Sequence, residues 1–416
     1  MEQPRIRVLH IITRLILGGA QENTLWTVVG QQRSKRYDVV LLSGIDEGPE
    51  GTLHDVARTE GVNLVLTRWL VRPINPVKDL IALLSLYRFI KRGRFDIVHT
   101  HSSKAGILGR VAARLAGVPV VVHTLHSLVF HEFQSEFKNR LYIWLKKWCA
   151  PLTDCYISVC DAVTKGALKE GISSPHKYVT IYSGINLKPF VDIGTQLTPE
   201  EAKAQLSLDP ARPVVGKVAR LYHQKGHDLF IRAAARIAER DPAILFLLVG
   251  DGILRGPLEA MTKDLGIESQ VVFAGRVDPS RIPLYMRAMD VLVHTSVREG
   301  VARVLPQAYA TGTPVVAFNL DGAPEVIADG QTGFLVEPGS VEGIAKGVTT
   351  LLESASLRGE MGQRGRDIVM GKFPVEVMVE RIDSMYSMLL AEKGVSARGL
   401  SFTRSAGPVG RASSHP

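Results

Sequence analysis

The sequence has few cysteines and no long apolar run. Its 416 residues include three cysteines, at positions 149, 155 and 160, without a Cys-x-x-Cys pair. They stand in or beside apolar segments, so we expect buried free thiols and a reducing compartment. No apolar stretch approaches the roughly 20 residues that a membrane-spanning helix needs, and the first residues lack a signal-peptide layout. We therefore expect a cytoplasmic protein, neither secreted nor membrane-spanning.

Charge is unevenly distributed along the chain. Residues 1–200 contain 25 Lys and Arg against 17 Asp and Glu, whereas residues 201–416 contain 25 against 24. A basic first half favours an anionic partner such as phospholipid head groups, a lipid diphosphate or nucleic acid, and charge alone does not choose among them.

Several motifs that would define other functional classes are missing. A nicotinamide-dependent oxidoreductase should show Gly-x-Gly-x-x-Gly after the first strand, with an acidic residue about 20 positions later, and Gly18-Gly19 does not supply that pattern. No nucleic-acid-binding module is recognisable, so nucleic acid is not expected as a partner. His99 and His101 share a strand face, and we interpret them as a structural pair. We predict neither a metal site nor a cofactor.

What the sequence does contain is a regular alternation of β-rich apolar runs and helical patterns. One series extends from Ile6–Ile12 to Tyr178–Tyr182, and a second from Val214–Ala219 to Gly333–Val336. Runs such as 120–122, Val-Val-Val, do not alternate polar and apolar residues, as expected of parallel strands covered on both faces. The chain also exceeds the size of a single core. We therefore predict an α/β fold of two Rossmann-like, doubly wound domains facing a central cleft.

The predicted domain boundaries follow from pauses in this alternation. They are an N-terminal domain over 1–190, a linker over 191–212, a C-terminal domain over 213–373, a helix over 374–394 that packs back on the N-terminal domain, and a disordered tail over 395–416.

Ligands of open α/β sheets bind beyond the carboxyl ends of the strands, so residues that follow strands are the candidates. Gly18-Gly19 opens a helix, where free amides favour a phosphate, although a tight turn also requires glycine. Arg220 follows a strand and Lys225 lies five residues later. Two such cations suit a diphosphate, and the alternative is a solvated loop.

The segment 295–336, TSVREGVARVLPQAYATGTPVVAFNLDGAPEVIADGQTGFLV, contains the most specific motifs. It resembles the signature of glycosyltransferase family 4, with Glu299-Gly300, then a Gly-x-Pro-Val-Val strand at 312–316, then a Gly-x-Pro-Glu turn at 322–325. The resemblance covers nearly the whole chain, because Gly18-Gly19, the segments 102–106 and 123–126, Arg220 and Lys225-Gly226 occur in the family's order.

The resemblance implies a GT-B fold and a retaining, metal-independent transfer of sugar from a UDP- or GDP-sugar to a glycan or lipid-linked acceptor, in polysaccharide or cell-envelope synthesis. The C-terminal domain would bind the donor and the N-terminal domain the acceptor. His126 and Glu299 become the catalytic candidates. The donor-binding candidates are Gly18, Gly19, Arg220, Lys225, Gly300, Val301, Gln307 and Glu325.

Two positions depart from the family pattern. Gln307 replaces the second Glu, which binds the ribose hydroxyls in the family, and Ala302 stands where the family often has Pro. The amide oxygen of Gln307 can still accept a ribose hydroxyl, in a bond weaker than that of a carboxylate by about 1 kcal/mol. A nucleotide-sugar-binding protein without catalytic activity therefore remains an alternative.

An aromatic and basic stripe extends over residues 130–148. Its apolar positions recur every three or four residues, and lysines and arginine stand between them; the apolar positions are Phe130, Phe133, Phe137, Leu141, Trp144, Leu145 and Trp148. Such an amphipathic helix either packs into the N-terminal core or contacts a membrane surface. The second alternative would place the protein at the inner face of the membrane and favour a lipid-linked acceptor.

Overall fold

The computed structural model describes residues 5–45, 48, 51–128 and 135–395. The predicted disordered tail lies outside the described residues except for Val395. Phe130 and Phe133 of the predicted amphipathic helix also lie outside them.

Seven strands form the first sheet. They are β1 (Ile6–Arg14), β2 (Tyr37–Gly44), β3 (Leu64–Thr67), β4 (Ile97–His101), β5 (Val120–Leu125), β6 (Cys155–Ser158) and β7 (Tyr178–Thr180). Their order is β3-β2-β1-β4-β5-β6-β7, and each pair of neighbours is parallel. The strand order reverses beside β1, where a crevice for ligands is expected in a doubly wound sheet.

Helices cover both faces of this sheet. They are α1 (Gly19–Arg33), α2 (His54–Thr59), α3 (Pro76–Gly93), α4 (Ser103–Ala116), α5 (Glu136–Cys149) and α6 (Asp161–Lys169). The start of α3 illustrates the local cause, because the Asn75 side chain accepts from the Lys78 amide and Pro76 occupies the first turn, where its missing amide hydrogen is not needed.

Six parallel strands form the second sheet. They are β8 (Val214–Val218), β9 (Leu245–Val249), β10 (Val271–Gly275), β11 (Val291–His294), β12 (Val315–Phe318) and β13 (Gly333–Val336). Their order is β10-β9-β8-β11-β12-β13. The helices of this half are α7 (Lys188–Gln196), α8 (Pro199–Gln205), α9 (His227–Ala238), α10 (Arg255–Asp264), α11 (Ile282–Arg287), α12 (Val304–Ala310), α13 (Val341–Glu353) and α14 (Ala355–Lys372). The structure therefore confirms an α/β fold of two Rossmann-like sheets.

The last helix, α15 (Val375–Glu392), returns to the first sheet. The chain crosses over where the Ile185 amide donates to the Phe373 carbonyl at 2.8 Å. Beyond this crossing, α15 packs against α1 and buries seven side chains in the apolar core of the first half: Met378, Val379, Ile382, Met385, Tyr386, Leu389 and Leu390. The first half is thus completed by the last helix of the described chain.

The two halves also share apolar contacts beside the crevice between them. A buried cluster includes Val159 of the first half and Val301 of the second. Among the described residues, no helix is both long and apolar enough to cross a bilayer.

Candidate functional site

The carboxyl ends of β1 and β5 face those of β8 and β11 across a cleft of about 350 Å³. Both halves of the molecule line it. The lining residues are Gly19, Ala20, His126, Ser127, Val159, Ser183, Arg220, Tyr222, Gln224, Lys225, Arg298, Glu299, Gly300, Val301 and Arg303. Seven residues that the sequence indicated therefore come together here: Gly19, His126, Arg220, Lys225, Glu299, Gly300 and Val301.

His126 immediately follows β5 and reaches the cleft from the first half. Its Nε2 lies 3.2 Å from Nδ1 of His101, and burial lowers the pKa of His126 to about 4. A Cβ atom at Gly300 would lie 2.4 Å from the His126 carbonyl oxygen. Only glycine lets the loop after β11 approach this closely, so Gly300 brings the neighbouring Glu299 near His126.

The two cations enter the cleft from the second half. Arg220 follows β8, and its guanidinium lies 5.4 Å from the centre of the Tyr222 ring, close enough for a cation–π contact. The Arg220 carbonyl accepts a 2.9 Å bond from Nε2 of buried His227, which fixes the backbone of this loop. Lys225 lies in the short turn before α9, where its ammonium forms an ion pair with Glu299.

The Glu299 loop is held by groups whose charged forms are disfavoured by burial. The Glu299 amide donates to Oδ2 of Asp321 at 2.6 Å, and burial raises the pKa of the Asp321 carboxyl. Beneath Lys225, Nζ of Lys217 donates to the Thr295 hydroxyl at 2.7 Å. Burial and the nearby Lys225 lower the pKa of Lys217 to about 7. Burial thus disfavours the charged forms of Lys217 and Asp321, whereas the cations that line the cleft are Arg220, Lys225, Arg298 and Arg303.

Three residues that the sequence indicated as donor contacts do not line the cleft that the described residues form. Gly18 directly precedes α1, and the neighbouring Gly19 lines the cleft. Gln307 is half-buried within α12. The Glu325 carboxylate accepts from the amides of Asp161 and Ala162 at 2.8 and 2.9 Å. It thus caps the first turn of α6 and links the two halves.

Two arginines of the cleft were not identified from the sequence. Arg303 lies 2.5 Å from Glu22 of α1 and so forms an ion pair across the cleft. Arg298 donates to the Leu128 carbonyl of the first half. Both lie within four residues of Glu299 in the signature segment, and a search of that segment for cations would have found them.

One group of histidines has the proximity of metal ligands. Nitrogen atoms of His10, His99 and His101 lie within 4.8 Å of one another, and all three side chains are buried. Both nitrogens of His99 are already engaged, at 2.6 Å, by the hydroxyls of Tyr386 and Thr124. No carboxylate belongs to this group of the described residues, and we interpret it as a hydrogen-bonded array.

Comparisons with known proteins agree with this geometry. The family model described as Glycosyltransferase Family 4 matches residues 18–188, and the model described as Glycosyl transferases group 1 matches residues 199–368. The chain is 30% identical to UDP-Gal:alpha-D-GlcNAc-diphosphoundecaprenol alpha-1,3-galactosyltransferase of Escherichia coli, over 94% of this chain and 98% of that protein.

Two further relatives extend the comparison. The capsular polysaccharide biosynthesis glycosyltransferase CapM of Staphylococcus aureus is 28% identical over 86% of this chain and 92% of its own length. The crystal structure of Anabaena HepE with UDP and glucose superposes with a TM-score of 0.76, at 23% identity, over 92% of this chain and all of that chain. This last likeness concerns the fold.

Proposed function

Because the chain belongs to glycosyltransferase family 4, and is thus a glycosyltransferase, we propose that it moves a sugar from UDP-sugar to a lipid-linked glycan precursor. We further propose that the transfer retains the configuration of the anomeric carbon and proceeds without a metal ion. The observation that carries this proposal is the convergence of His126, Glu299, Arg220 and Lys225 on one cleft between the two sheets.

The leaving group explains the two cations. In the proposed reaction, the bond between the anomeric carbon and a diphosphate oxygen breaks, and the acceptor oxygen bonds to the same face of that carbon. The acceptor proton passes to a diphosphate oxygen, so no protein base is needed. Fixed positive charge at Arg220 and Lys225 stabilises the diphosphate as its negative charge develops. These two side chains supply charge neutralisation for which other enzymes use a metal ion.

Sugar hydroxyls are the proposed ligands of the remaining polar groups. The Glu299 carboxylate accepts hydrogen bonds from the donor sugar, and its ion pair with Lys225 aligns it with the diphosphate position. His126 approaches the sugar from the opposite wall. The amide of Gly19, at the start of α1, would donate to the diphosphate, and Gly18 forms the turn that precedes it. Gly300 and Val301 form part of the wall that contains Glu299, and Glu325 joins this half to the start of α6.

The names of two relatives favour UDP as the nucleotide of the donor. The printed name of the Escherichia coli relative includes UDP-Gal, and the Anabaena structure contains UDP. Gln307 would accept a ribose hydroxyl through its amide oxygen, in a weaker bond than a carboxylate makes.

A thermal-shift panel of UDP-galactose, UDP-glucose, GDP-mannose and ADP-glucose tests donor binding. We expect the UDP-sugars to raise the melting temperature, because a ligand at 100 times its Kd stabilises the native state by about 2.7 kcal/mol. A chain with both Arg220→Met and Lys225→Met should lose the shift. No shift with any sugar nucleotide at millimolar concentration would refute the proposed donor class.

A second measurement distinguishes an enzyme from a protein that only binds the nucleotide sugar. An enzyme should slowly release UDP from UDP-sugar in the absence of acceptor, whereas a binding protein should not.

The exposed face of α5 supports a membrane-bound acceptor. Phe137, Leu141, Trp144 and Trp148 lie on one face of α5, and their exposed fractions are 77%, 38%, 59% and 53%. Of the five described positions of the stripe, these four are exposed and Leu145 is half-buried, which favours a surface contact over packing into the N-terminal core. Lysines and an arginine flank these side chains, at positions 138, 140 and 147. Aromatic side chains beside cations suit the head-group region of an anionic bilayer.

Substituting Phe137, Trp144 and Trp148 together with serine should reduce binding to vesicles containing phosphatidylglycerol by about tenfold or more, because each aromatic side chain contributes apolar area to the interface. Co-sedimentation with the vesicles measures this, and release of UDP from UDP-sugar should stay unchanged. The matched control replaces two other exposed side chains, Met370 and Met388, with serine. Equal vesicle binding by the two variants would contradict contact between α5 and the membrane, and with it a location at the inner face of the membrane.

A further inference from the structure

A file of buried polar side chains leads from α1 through the first sheet to the cleft. His10 lies on β1 and His101 at the end of β4, and both side chains are buried. β1 and β4 are neighbouring parallel strands, with His10 opposite His99. Gln31 of α1 lies at the inner end of the file and is also buried, whereas His126 lies at the cleft.

Hydrogen-bond distances connect these four side chains in series. Oε1 of Gln31 lies 2.9 Å from Nε2 of His10. Nδ1 of His10 lies 3.0 Å from Nε2 of His101, and Nδ1 of His101 lies 3.2 Å from Nε2 of His126. Each of the three imidazoles therefore directs its Nε2 toward Gln31 or the preceding ring. His126, the last ring, leaves its Nδ1 outside the series.

All three imidazoles are neutral near pH 7. Burial lowers the pKa of His10 to about 4 and that of His126 to about 4. Burial, with the neighbouring histidines, lowers the pKa of His101 well below its usual value. A neutral imidazole has one N–H donor and one acceptor nitrogen, so the donor of one ring decides the donor of the next.

The inner end of the file determines which nitrogen of each ring carries the hydrogen. The Gln31 atom that faces His10 is its side-chain oxygen, 2.9 Å from Nε2 of His10, and an amide oxygen only accepts a hydrogen bond. His10 must then carry its hydrogen on Nε2, and the same holds in turn for His101.

From this series we propose that Gln31, His10 and His101 are positioning residues that hold His126 in the tautomer with hydrogen on Nε2. The bare Nδ1 of His126 then accepts a hydrogen bond from a hydroxyl of the donor sugar. The sugar contact rests on the proposed function, whereas the tautomer does not. A ring that exchanges tautomers would carry a hydrogen on Nδ1 for part of the time, and in that form Nδ1 cannot accept a hydrogen bond from a sugar hydroxyl.

The tautomer is measured directly by long-range proton–nitrogen NMR of protein labelled with ¹⁵N-histidine, without nucleotide. His126→Gln identifies the His126 signals. We expect the wild-type spectrum to show His126 protonated on Nε2 at pH 7. A hydrogen on Nδ1 would overturn the proposal, and the tautomer itself is read from the spectrum of the wild-type protein.

Two substitutions at His101 distinguish the loss of a hydrogen-bond acceptor from a change in side-chain packing. His101→Leu removes the acceptor for Nε2–H of His126, so both tautomers should appear. His101→Asn places an oxygen near the position of Nδ1, so the wild-type tautomer should return. Gln31→Met, which keeps the side-chain length and removes the amide, should also mix the tautomers. Unchanged His126 signals in both His101→Leu and Gln31→Met would contradict the relay.

Donor binding gives the second measurement. Losing one well-directed hydrogen bond of about 1 kcal/mol should raise the Kd for UDP-galactose about five- to tenfold in His101→Leu, and His101→Asn should restore it. The matched control is His123→Asn, because His123 is equally buried in β5 but bonds to Thr100 and lies outside the file. If His123→Asn weakens UDP-galactose binding as much as His101→Leu does, the loss comes from disturbed packing and the positioning role is contradicted. If UDP-galactose does not bind the wild type at all, the proposed donor fails while the tautomer result stands.

Discussion

Lys225→Met is expected to lower kcat/KM for sugar transfer by about 10²- to 10³-fold. Removing one fixed donor to a developing negative charge in other enzymes has an effect of this size, about 2.7–4 kcal/mol. In this protein the change also removes the ion-pair partner of Glu299. Steady-state kinetics with UDP-sugar and a lipid-linked acceptor measure it. Arg220→Met should act in the same direction, and Lys225→Arg should recover part of the rate because charge is retained at a different geometry.

Calorimetric titration with UDP distinguishes the cause of this loss. Because Lys225 is proposed to bind the diphosphate itself, UDP affinity should also fall. Lys263→Met is the matched control, since Lys263 of α10 is exposed and forms a surface ion pair with Glu268 at 3.4 Å. A Lys225→Met enzyme with wild-type turnover would contradict charge stabilisation by this lysine.

Tyr386→Ala is expected to destabilise the first half of the molecule by about 3–5 kcal/mol, the usual range for removing a large buried aromatic side chain. The Tyr386 ring is fully buried in the core that α15 completes, and its hydroxyl lies 2.6 Å from Nδ1 of His99. Calorimetry and urea unfolding followed by near-UV circular dichroism measure the loss. Tyr386→Phe removes only the hydroxyl and should cost about 1–3 kcal/mol, because a buried imidazole nitrogen loses its partner.

The control for this prediction lies on the same helix. Met388 is two residues away and 54% exposed, so Met388→Ala should change the free energy of unfolding by less than about 0.5 kcal/mol. If Tyr386→Ala were no more destabilising than Met388→Ala, α15 would not be part of the first core.

The fold was predictable from the sequence because parallel strands that are buried on both faces appear as short, continuous apolar runs at regular intervals. Runs such as residues 120–122 and 314–318, with helical patterns between them, were sufficient to predict two Rossmann-like sheets. Strand order within each sheet was not predicted, because it depends on the path of each crossover connection over the sheet. The apolar runs do not specify that path.

The candidate site was predictable where one local segment carries its residues. Glu299 and Gly300 are adjacent, and Arg220 and Lys225 share one loop. Contacts between distant segments have no local sequence pattern of this kind. Glu325 meets the first turn of α6 from 164 residues away, and Arg303 meets Glu22 from 281 residues away. Sequence spacing cannot indicate that either side chain is engaged across the cleft.

The histidines show the same limit in another form. His99 and His101 were interpreted as a structural pair because alternate residues share a strand face, and the hydrogen bonds of His99 are consistent with that interpretation. That His101 also connects His10 with His126 depends on β1 lying beside β4. Periodicity identifies a face of the sheet, whereas the neighbour across that face is a property of topology.

The position of α15 has a consequence for biosynthesis. The first sheet ends with Thr180, but α15, which closes its core, begins at Val375. At about 5–20 residues per second, a ribosome needs about 10–40 seconds to make the chain between these points. During that interval the second half can fold around its own sheet, while the earlier-made half still lacks seven buried side chains. The half that is synthesised first is therefore the half that matures last, and its unfilled apolar surface is the natural target for a chaperone in the growing chain.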